Sequence, residues 1–240
     1  MIGEPRRHLA VTTSTNAIAQ QWALEGAPHG SVVTAGAQTA GVGRRGREWV
    51  SAPGKGIYLS LILHPAQMLQ PQQYTLLLAV AACRALEKAA SVNAQTKWPN
   101  DILLQGKKIG GVLCSGEWRP DGPAFIIAGL GLNINQSCAE LPARPLYPAS
   151  SLAQISGREH DVEGVLQKVL LELDALDAPD VWPQIRTEFE TRCIFMNEVV
   201  GLQAEGKKYF GIAQRIDDEG FLWLRTADGE KRFVNGEIVE

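Results

Sequence analysis

No stretch of this 240-residue sequence holds the roughly 18 consecutive apolar residues that a membrane-spanning helix needs. The opening Met1-Ile2-Gly3-Glu4-Pro5-Arg6-Arg7 also lacks the apolar core of a secretory signal, so a cytoplasmic protein is the expectation. Cysteine is scarce and scattered, at Cys83, Cys114, Cys138 and Cys193. With neither CxxC spacing nor a histidine at metal-site intervals, these read as buried or inert thiols and not as zinc ligands. Positive charge is not in excess: a formal net charge of −3 gives no support for a general nucleic-acid or membrane-surface binder. Repeats and low-complexity tracts are missing too. A composition of 45% hydrophobic and 20% charged residues excludes the disordered and fibrous classes and leaves a globular protein, one large domain or a large one plus a small one.

Against that ordinary background, Gly41-Val42-Gly43-Arg44-Arg45-Gly46-Arg47 packs three glycines and three arginines into seven positions. Glycines let the backbone take positive φ and approach a ligand closely. Successive backbone N–H groups form a concave nest for anion oxygens, and guanidinium groups add charge-assisted, often bidentate bonds. A small anion, phosphate or carboxylate, is the expected ligand. Gly41, Gly43 and Gly46 also match the dinucleotide pattern GxGxxG, but the context fails. That pattern needs a helix starting at the glycines and an acid about 20 residues on. Here Pro53, Gly54 and Gly56 follow, then the strand-like Ile57–Leu63 with no suitable acid after it. Because its glycines lower local stability and its arginines repel one another until an anion arrives, the segment from 39 to 53 is expected to be mobile when empty and ordered when filled.

The pattern of the chain predicts strands at His8–Thr12, Ser31–Ala35 and Ile57–Leu63, with a capped helix over 17–24 between the first two. A helix over 71–90 buries Tyr74, Leu77, Leu78, Ala81, Ala85 and Ala89 on one face. A strand at Val92–Trp98 ends at Pro99, a hairpin joins Ile102–Leu104 to Ile109–Trp118, and Phe125–Ile134 is a buried strand beside it. Tight turns between strands imply a mixed or largely antiparallel sheet. Pro142, Pro145 and Pro148 make 136–150 a loop, and helices follow over 162–176 and about 180–192. After Cys193 short strands at Val199–Leu202, Tyr209–Ala213, Phe221–Leu224 and Arg232–Val234 predict a small β-barrel of about 45 residues, too small to be secure without packing on the larger domain.

Four more segments complete a constellation around the arginine loop: Ser14-Thr15-Asn16, Lys97-Trp98-Pro99-Asn100-Asp101, Lys108-Ile109-Gly110-Gly111-Val112-Leu113 and Gly129-Leu130-Gly131-Leu132-Asn133. In this order, around a loop of the form GxGRRGRxW, they resemble the catalytic domain of biotin protein ligase (biotin–acetyl-CoA-carboxylase ligase), and the resemblance runs from about residue 9 to the C-terminus. It implies an α+β fold: a class II aminoacyl-tRNA synthetase-like catalytic domain with a mixed sheet over 1–194, and an SH3-like barrel over 195–240. The Ser-Thr-Asn motif at residue 14 leaves no room for the DNA-binding domain some members carry, so a ligase-only form without DNA as partner is expected, a monomer or homodimer.

The resemblance further implies that biotin and ATP, with Mg2+, give biotinyl-5′-AMP and pyrophosphate, and that a lysine of a biotin carboxyl carrier protein then takes the biotinyl group. Bringing a carboxylate against an α-phosphate sets two anions together and calls for preorganised positive charge. Lys108 is expected at the carboxylate and α-phosphate, Arg44 on the adenylate, and Arg47 on the ATP phosphates. Ser14, Thr15, Asn16 and Gln38, with the backbone of Gly41 and Gly111, would hold biotin; capping and strand-end roles compete for these polar residues. Trp49 would cover adenine, with simple packing as the alternative. Asn100, Asp101 and Asn133 would place the nucleotide, its metal or the reacting groups, Asp101 as a catalytic residue, although a turn residue before the hairpin is also consistent with it. No residue is expected as a resident metal ligand.

Two positions depart from the family pattern. Val42 stands where arginine is usual, and Cys114-Ser115 precede Glu117 where an acid often follows the GGVL run. Both bear on affinity more than on the type of reaction. The competing functions are a lipoate or octanoate transferase of the same broad fold, which the arginine loop disfavours, and a biotin-binding or carrier-docking protein that has lost adenylation.

Overall fold

The structure, a computed structural model, describes residues 1–64, 71–119, 122–142, 147–178 and 180–239. Its larger sheet has seven strands: β1 (Arg6–Thr12), β2 (Val32–Gln38), β3 (Gly56–Leu63), β4 (Ala94–Lys97), β5 (Asp101–Leu104), β6 (Lys107–Arg119) and β7 (Gly122–Asn133). They lie in the order β1-β2-β3-β7-β6-β5-β4, with β1 parallel to β2 and every other neighbour antiparallel. Helices cover both faces. On one lies α1 (Thr15–Leu24), whose Ala19, Trp22 and Ala23 pack with Val33, Ile62, Phe125 and Ile127. On the other lie α2 (Pro71–Ala90) and α4 (Val162–Leu176), with the short α3 (Leu152–Ser156) and α5 (Trp182–Arg192) beside them.

Two-sided cover explains why β3 is buried at all eight positions and reads as a continuous apolar run. Its alternation survives: Ile57, Leu59, Leu61 and Leu63 join the α2 core, while Ile62 packs under α1. Each fully buried leucine or isoleucine contributes about 1.5–3 kcal/mol relative to exposure. The single apolar face expected for α2 is too narrow. Leu76, Ala79, Val80, Ala82, Cys83 and Leu86 are buried as well, because α4, α5 and the sheet surround the helix. The strand expected from Val92 begins only at Ala94, and α3 arises inside a region with no helical period, capped by Ser151 Oγ accepting from Gln154 N.

The remaining strands, β8 (Val199–Ala204), β9 (Lys207–Ile216), β10 (Leu222–Thr226), β11 (Gly229–Phe233) and β12 (Glu237–Ile238), form a separate antiparallel sheet in the order β11-β10-β9-β8-β12. It is anchored to the larger unit by Trp98, fully buried, whose Nε1 donates to Gly220 O at 3.1 Å, and by Gln73 Nε2 donating to Asp218 O at 3.0 Å. The fold is α+β as expected. Within the segment 136–150, residues 143–146 lie outside the described residues, while Cys138–Glu140 form a 3-10 turn. No helix among the described residues is long and apolar enough to cross a membrane.

Candidate active site

The face of β7 that packs on α1 carries Phe125 and Ile127, then Gly129 and Gly131, so its side chains stop where a cavity begins. Neighbouring strands keep the same face open: Gly111 on β6 lies opposite Gly131, and Ser60 on β3 lies opposite Gly129. The glycines are needed for close approach. A Cβ at Gly131 would stand 2.4 Å from Cε2 of Trp49, and one at Gly129 would stand 2.2 Å from Oδ1 of Asn16.

Above this floor opens a cavity of about 870 Å³, counted out to its mouth. The first turn of α1 lines one end with Ser14, Thr15 and Asn16. Ser14 occupies the N-cap position, yet its side chain makes no capping bond, so its hydroxyl remains available to a ligand. Gln38, at the end of β2, is committed locally. Its Oε1 accepts from Thr15 N at 2.8 Å and Thr15 Oγ1 at 3.2 Å, and its Nε2 donates to Ser51 Oγ at 3.1 Å. Ser60 Oγ donates to Thr15 Oγ1 at 2.8 Å, and Asn16 Nδ2 donates to Leu113 O at 3.4 Å. This polar end is therefore fixed before any ligand arrives.

The arginine loop closes the opposite side. Gly43 N donates to Arg47 O at 2.7 Å and Trp49 N to Gly41 O at 2.9 Å, pinching the loop at two levels. Between them Arg44–Gly46 make a 3-10 turn with Arg45 in the left-handed region at φ 58°. Arg44 Nη1 donates to Asn100 Oδ1 at 3.3 Å and to Gly236 O at 3.4 Å, neutral partners that leave its charge uncompensated. Burial pulls the Arg44 pKa down, aided by Arg45 and opposed by Asp101 and Glu237. A guanidinium keeps its proton regardless. Arg45 and Arg47 both pair with Glu237 of β12, the former at 2.9 Å. These bonds hold the Glu237 carboxyl below its usual range, Arg47 first among the causes. The loop expected to be self-repelling when empty is in this structure held by a carboxylate from the second sheet.

At the far wall, Asp101 sits between two lysines. Lys108 Nζ forms a close ion pair with its Oδ1, and Lys97 Nζ stands 3.8 Å from its Oδ2. The Lys108 backbone is pinned on both sides, N to Pro148 O and O from Ser150 N, each at 2.9 Å. Trp49 separates this cavity from a smaller one lined by Val50, Asn133, Leu141, Pro142 and Ala149, and both Trp49 and Lys108 border the two. The indole Nε1 of Trp49 is buried without a hydrogen-bond partner.

Residues 8–133 match the biotin/lipoate A/B protein ligase family, and residues 197–239 match the biotin protein ligase C terminal domain. The chain belongs to the biotin/lipoate A/B protein ligase family. Among its relatives, the bifunctional ligase/repressor BirA of Bacillus spizizenii is 36% identical over 99% of this chain and 74% of its own length. The biotin–[acetyl-CoA-carboxylase] ligase of Paracoccus denitrificans is 32% identical over 96% of this chain and 98% of its own. The biotin protein ligase of Aquifex aeolicus, solved with biotin and ATP, superposes with a TM-score of 0.83 at 29% identity, covering 98% of both chains.

Of the residues named from sequence, Ser14, Thr15, Asn16, Gln38, Arg44, Arg47, Trp49, Asn100, Asp101, Lys108 and Gly111 all border the larger cavity. Two stand apart from it. Gly41 lies behind the loop, where a Cβ would meet Trp49 O at 2.5 Å, so its glycine serves the pinch of the loop. Asn133 lines the smaller cavity beyond Trp49, buried, with Nδ2 donating to Ser150 O at 3.0 Å. Sequence reasoning assigned no role to Lys97, to the floor glycines Gly129 and Gly131, or to Gly236 and Glu237. The period-2 register of β7 was a usable signal for the glycines. Nothing local marks Glu237, which reaches the loop only through tertiary packing.

Proposed function

We propose that this chain is a biotin protein ligase that activates biotin with ATP as biotinyl-5′-AMP and transfers the biotinyl group to a lysine of a biotin carboxyl carrier protein. The observation that carries the reading is that Lys108 and Trp49 border both cavities, the larger reaching the polar end at Ser14 and Thr15 and the smaller reaching Asn133; on this reading the Lys108 ammonium serves the carboxylate and the α-phosphate at the junction. The ureido ring sits at the prearranged polar end formed by Ser14 and Thr15. Gln38 and Asn16 act mainly by holding that end in place. Adenine occupies the smaller cavity against Trp49, beside Asn133.

In the first step a biotin carboxylate oxygen attacks the α-phosphorus, and the bond to pyrophosphate breaks with its electron pair leaving on pyrophosphate. Lys108 and Arg44 meet the charge that gathers on the equatorial oxygens. Incoming β- and γ-phosphates compete with Glu237 for Arg45 and Arg47, which couples nucleotide binding to a rearrangement of the loop. ATP enters as its magnesium complex. The division into a catalytic unit over 1–194 and a small C-terminal unit over 195–240 belongs to the same reading.

The test is isotopic pyrophosphate exchange into ATP, followed by labelling of a carrier domain. Exchange should depend on biotin and not respond to lipoate or octanoate. Exchange with lipoate or octanoate would make the chain a different acyl ligase, and biotin binding without exchange would make it a binding protein.

A further inference from the structure

Lys97 closes β4 and faces Asp101 across the strand pair, in register. It is 5% exposed and lines the cavity. Among the described residues its Nζ makes no hydrogen bond within 3.5 Å. Its neighbours are Asp101 Oδ2 at 3.8 Å and the ring of Tyr147, whose centroid is 4.5 Å away. A lysine desolvated to this degree without a close partner is costly unless a second state of the site uses it. Burial lowers its affinity for the proton, Asp101 opposes that, and Lys108 adds to it.

On the reading above, Lys108 cannot serve two anions at once. When it turns to the biotinyl adenylate it leaves Asp101, whose side chain is only 17% exposed. The other cations near Asp101 are Arg44 and Arg47, from the loop; on the same reading Arg44 holds the adenylate, and Arg47 is paired with Glu237 once pyrophosphate has left. Glu237 of β12 adds charge of the wrong sign to the same cavity. Among the described residues Lys97 alone approaches Asp101 on the carboxylate oxygen opposite to that held by Lys108, and a movement of about 1 Å would bring 3.8 Å into ordinary hydrogen-bond range.

We propose that Lys97 is a positioning residue for the transfer step: it takes over Asp101 when Lys108 moves to the adenylate, keeping that carboxylate charged and aimed at the incoming lysine of the acceptor. The acceptor arrives as an ammonium. Asp101 accepts one of its protons and passes it to water; the freed amine attacks the biotinyl carbonyl carbon, forming the C–N bond. The C–O bond to the phosphate then breaks, its electron pair leaves with AMP, and the second proton lost by the nitrogen goes to the departing phosphate oxygen. Without Lys97, Asp101 loses the lysine that stands at its second oxygen during this step, and its charged form is disfavoured.

The experiment measures both half-reactions of Lys97→Met, which keeps the length and loses the charge, with Lys97→Arg as the conservative control. Pyrophosphate exchange reports activation, and single-turnover transfer from preformed biotinyl-5′-AMP to a carrier domain reports the second step, across pH 5.5 to 9 (roughly the span in which a shifted carboxylate and an acceptor amine titrate). In Lys97→Met, transfer should fall at least about tenfold more than exchange. The acid limb of its pH profile should move up by about one unit or more, and Lys97→Arg should restore both. Equal losses in the two steps would place Lys97 in activation and overturn the proposal, as would an unmoved acid limb. Should Lys97→Met fail to fold, Lys97→Gln carries the same comparison. Absence of biotin-dependent exchange in the unaltered chain would instead remove the functional reading itself, so the two failures are distinct.

Discussion

Replacing Lys108 by alanine should slow biotin-dependent pyrophosphate exchange by about 10²–10³, or ~2.7–4 kcal/mol of transition-state stabilisation. The figure follows from how little else can substitute. Lys108 and Trp49 are the residues common to both cavities, so Lys108 is the cation at their junction among the described residues. Its side chain is 12% exposed, which limits compensation by water. Arg44 and Lys97 border only the larger cavity, and Arg44 is tied to Asn100 and Gly236. The fold should survive, since Asp101 keeps Lys97 at 3.8 Å, and the loss stays well short of the ~3–5 kcal/mol expected when a buried charge is left with no partner. Because the interaction strengthens as the reaction proceeds, kcat and kcat/KM should fall together. The assay is exchange of labelled pyrophosphate into ATP over a range of biotin concentrations, with thermal melting to verify folding. Exchange within a few-fold of the unaltered chain, or a loss confined to KM for biotin, would refute the assignment.

Three further outcomes follow from the site. In Glu237→Gln, limited proteolysis should cut the loop over 39–53 faster without ligand, and biotin plus ATP should restore protection; unchanged cleavage would show that the Glu237 contacts do not hold the loop. The Glu237 carboxyl is depressed in the folded chain, so its contribution is fully present above the ordinary glutamate value of about 4.3 and is lost as pH falls through the lower folded value. Loop protection in the unaltered chain should therefore fail only in acid, and in Glu237→Gln it should show no such dependence. Gly131→Ala sets a Cβ 2.4 Å from the Trp49 indole, and relieving that clash should cost about 1–3 kcal/mol, read as a lower melting temperature; an unchanged melting temperature would show that the indole is not held against the strand. Val42 is 51% exposed on the cavity wall, so Val42→Arg has room to reach an anion and should tighten biotinyl-5′-AMP by about tenfold or more, from a charge-assisted bond of ~1.5–3 kcal/mol. Unchanged or weaker binding would mean that Arg45 already covers that anion.

Local pattern was enough for most of the elements. The apolar run at 57–63, the helical period over 162–176, and the hairpin signal around Gly106-Lys107 each depend on neighbours within a few residues, and each became an element at nearly the expected place. The anion-binding character of the arginine loop was also local, because guanidinium groups among glycines carry that meaning in their own sequence, whereas Lys108 stood out only through the resemblance of its segment to a ligase family. What local pattern misjudged was burial and partnership. The helix over 71–90 looked amphipathic, yet tertiary packing surrounds it. Ser14 looked like a cap and makes no capping bond; Gln38 borders the cavity and is at the same time bonded to Thr15 and Ser51. Gly41 is packed so closely against Trp49 O that only a glycine fits the pinch of the loop, a constraint its own segment does not reveal. Above all, Glu237 lies some 190 residues from Arg45 and Arg47 along the chain, and Lys97 gains its place beside Asp101 only once β4 and β5 pair. A residue's type and its near neighbours set which interactions it is able to make. Which of those it does make is decided by long-range closure of the sheet and docking of the second sheet, because electrostatic partners are selected by distance in space and the sequence carries no measure of that distance.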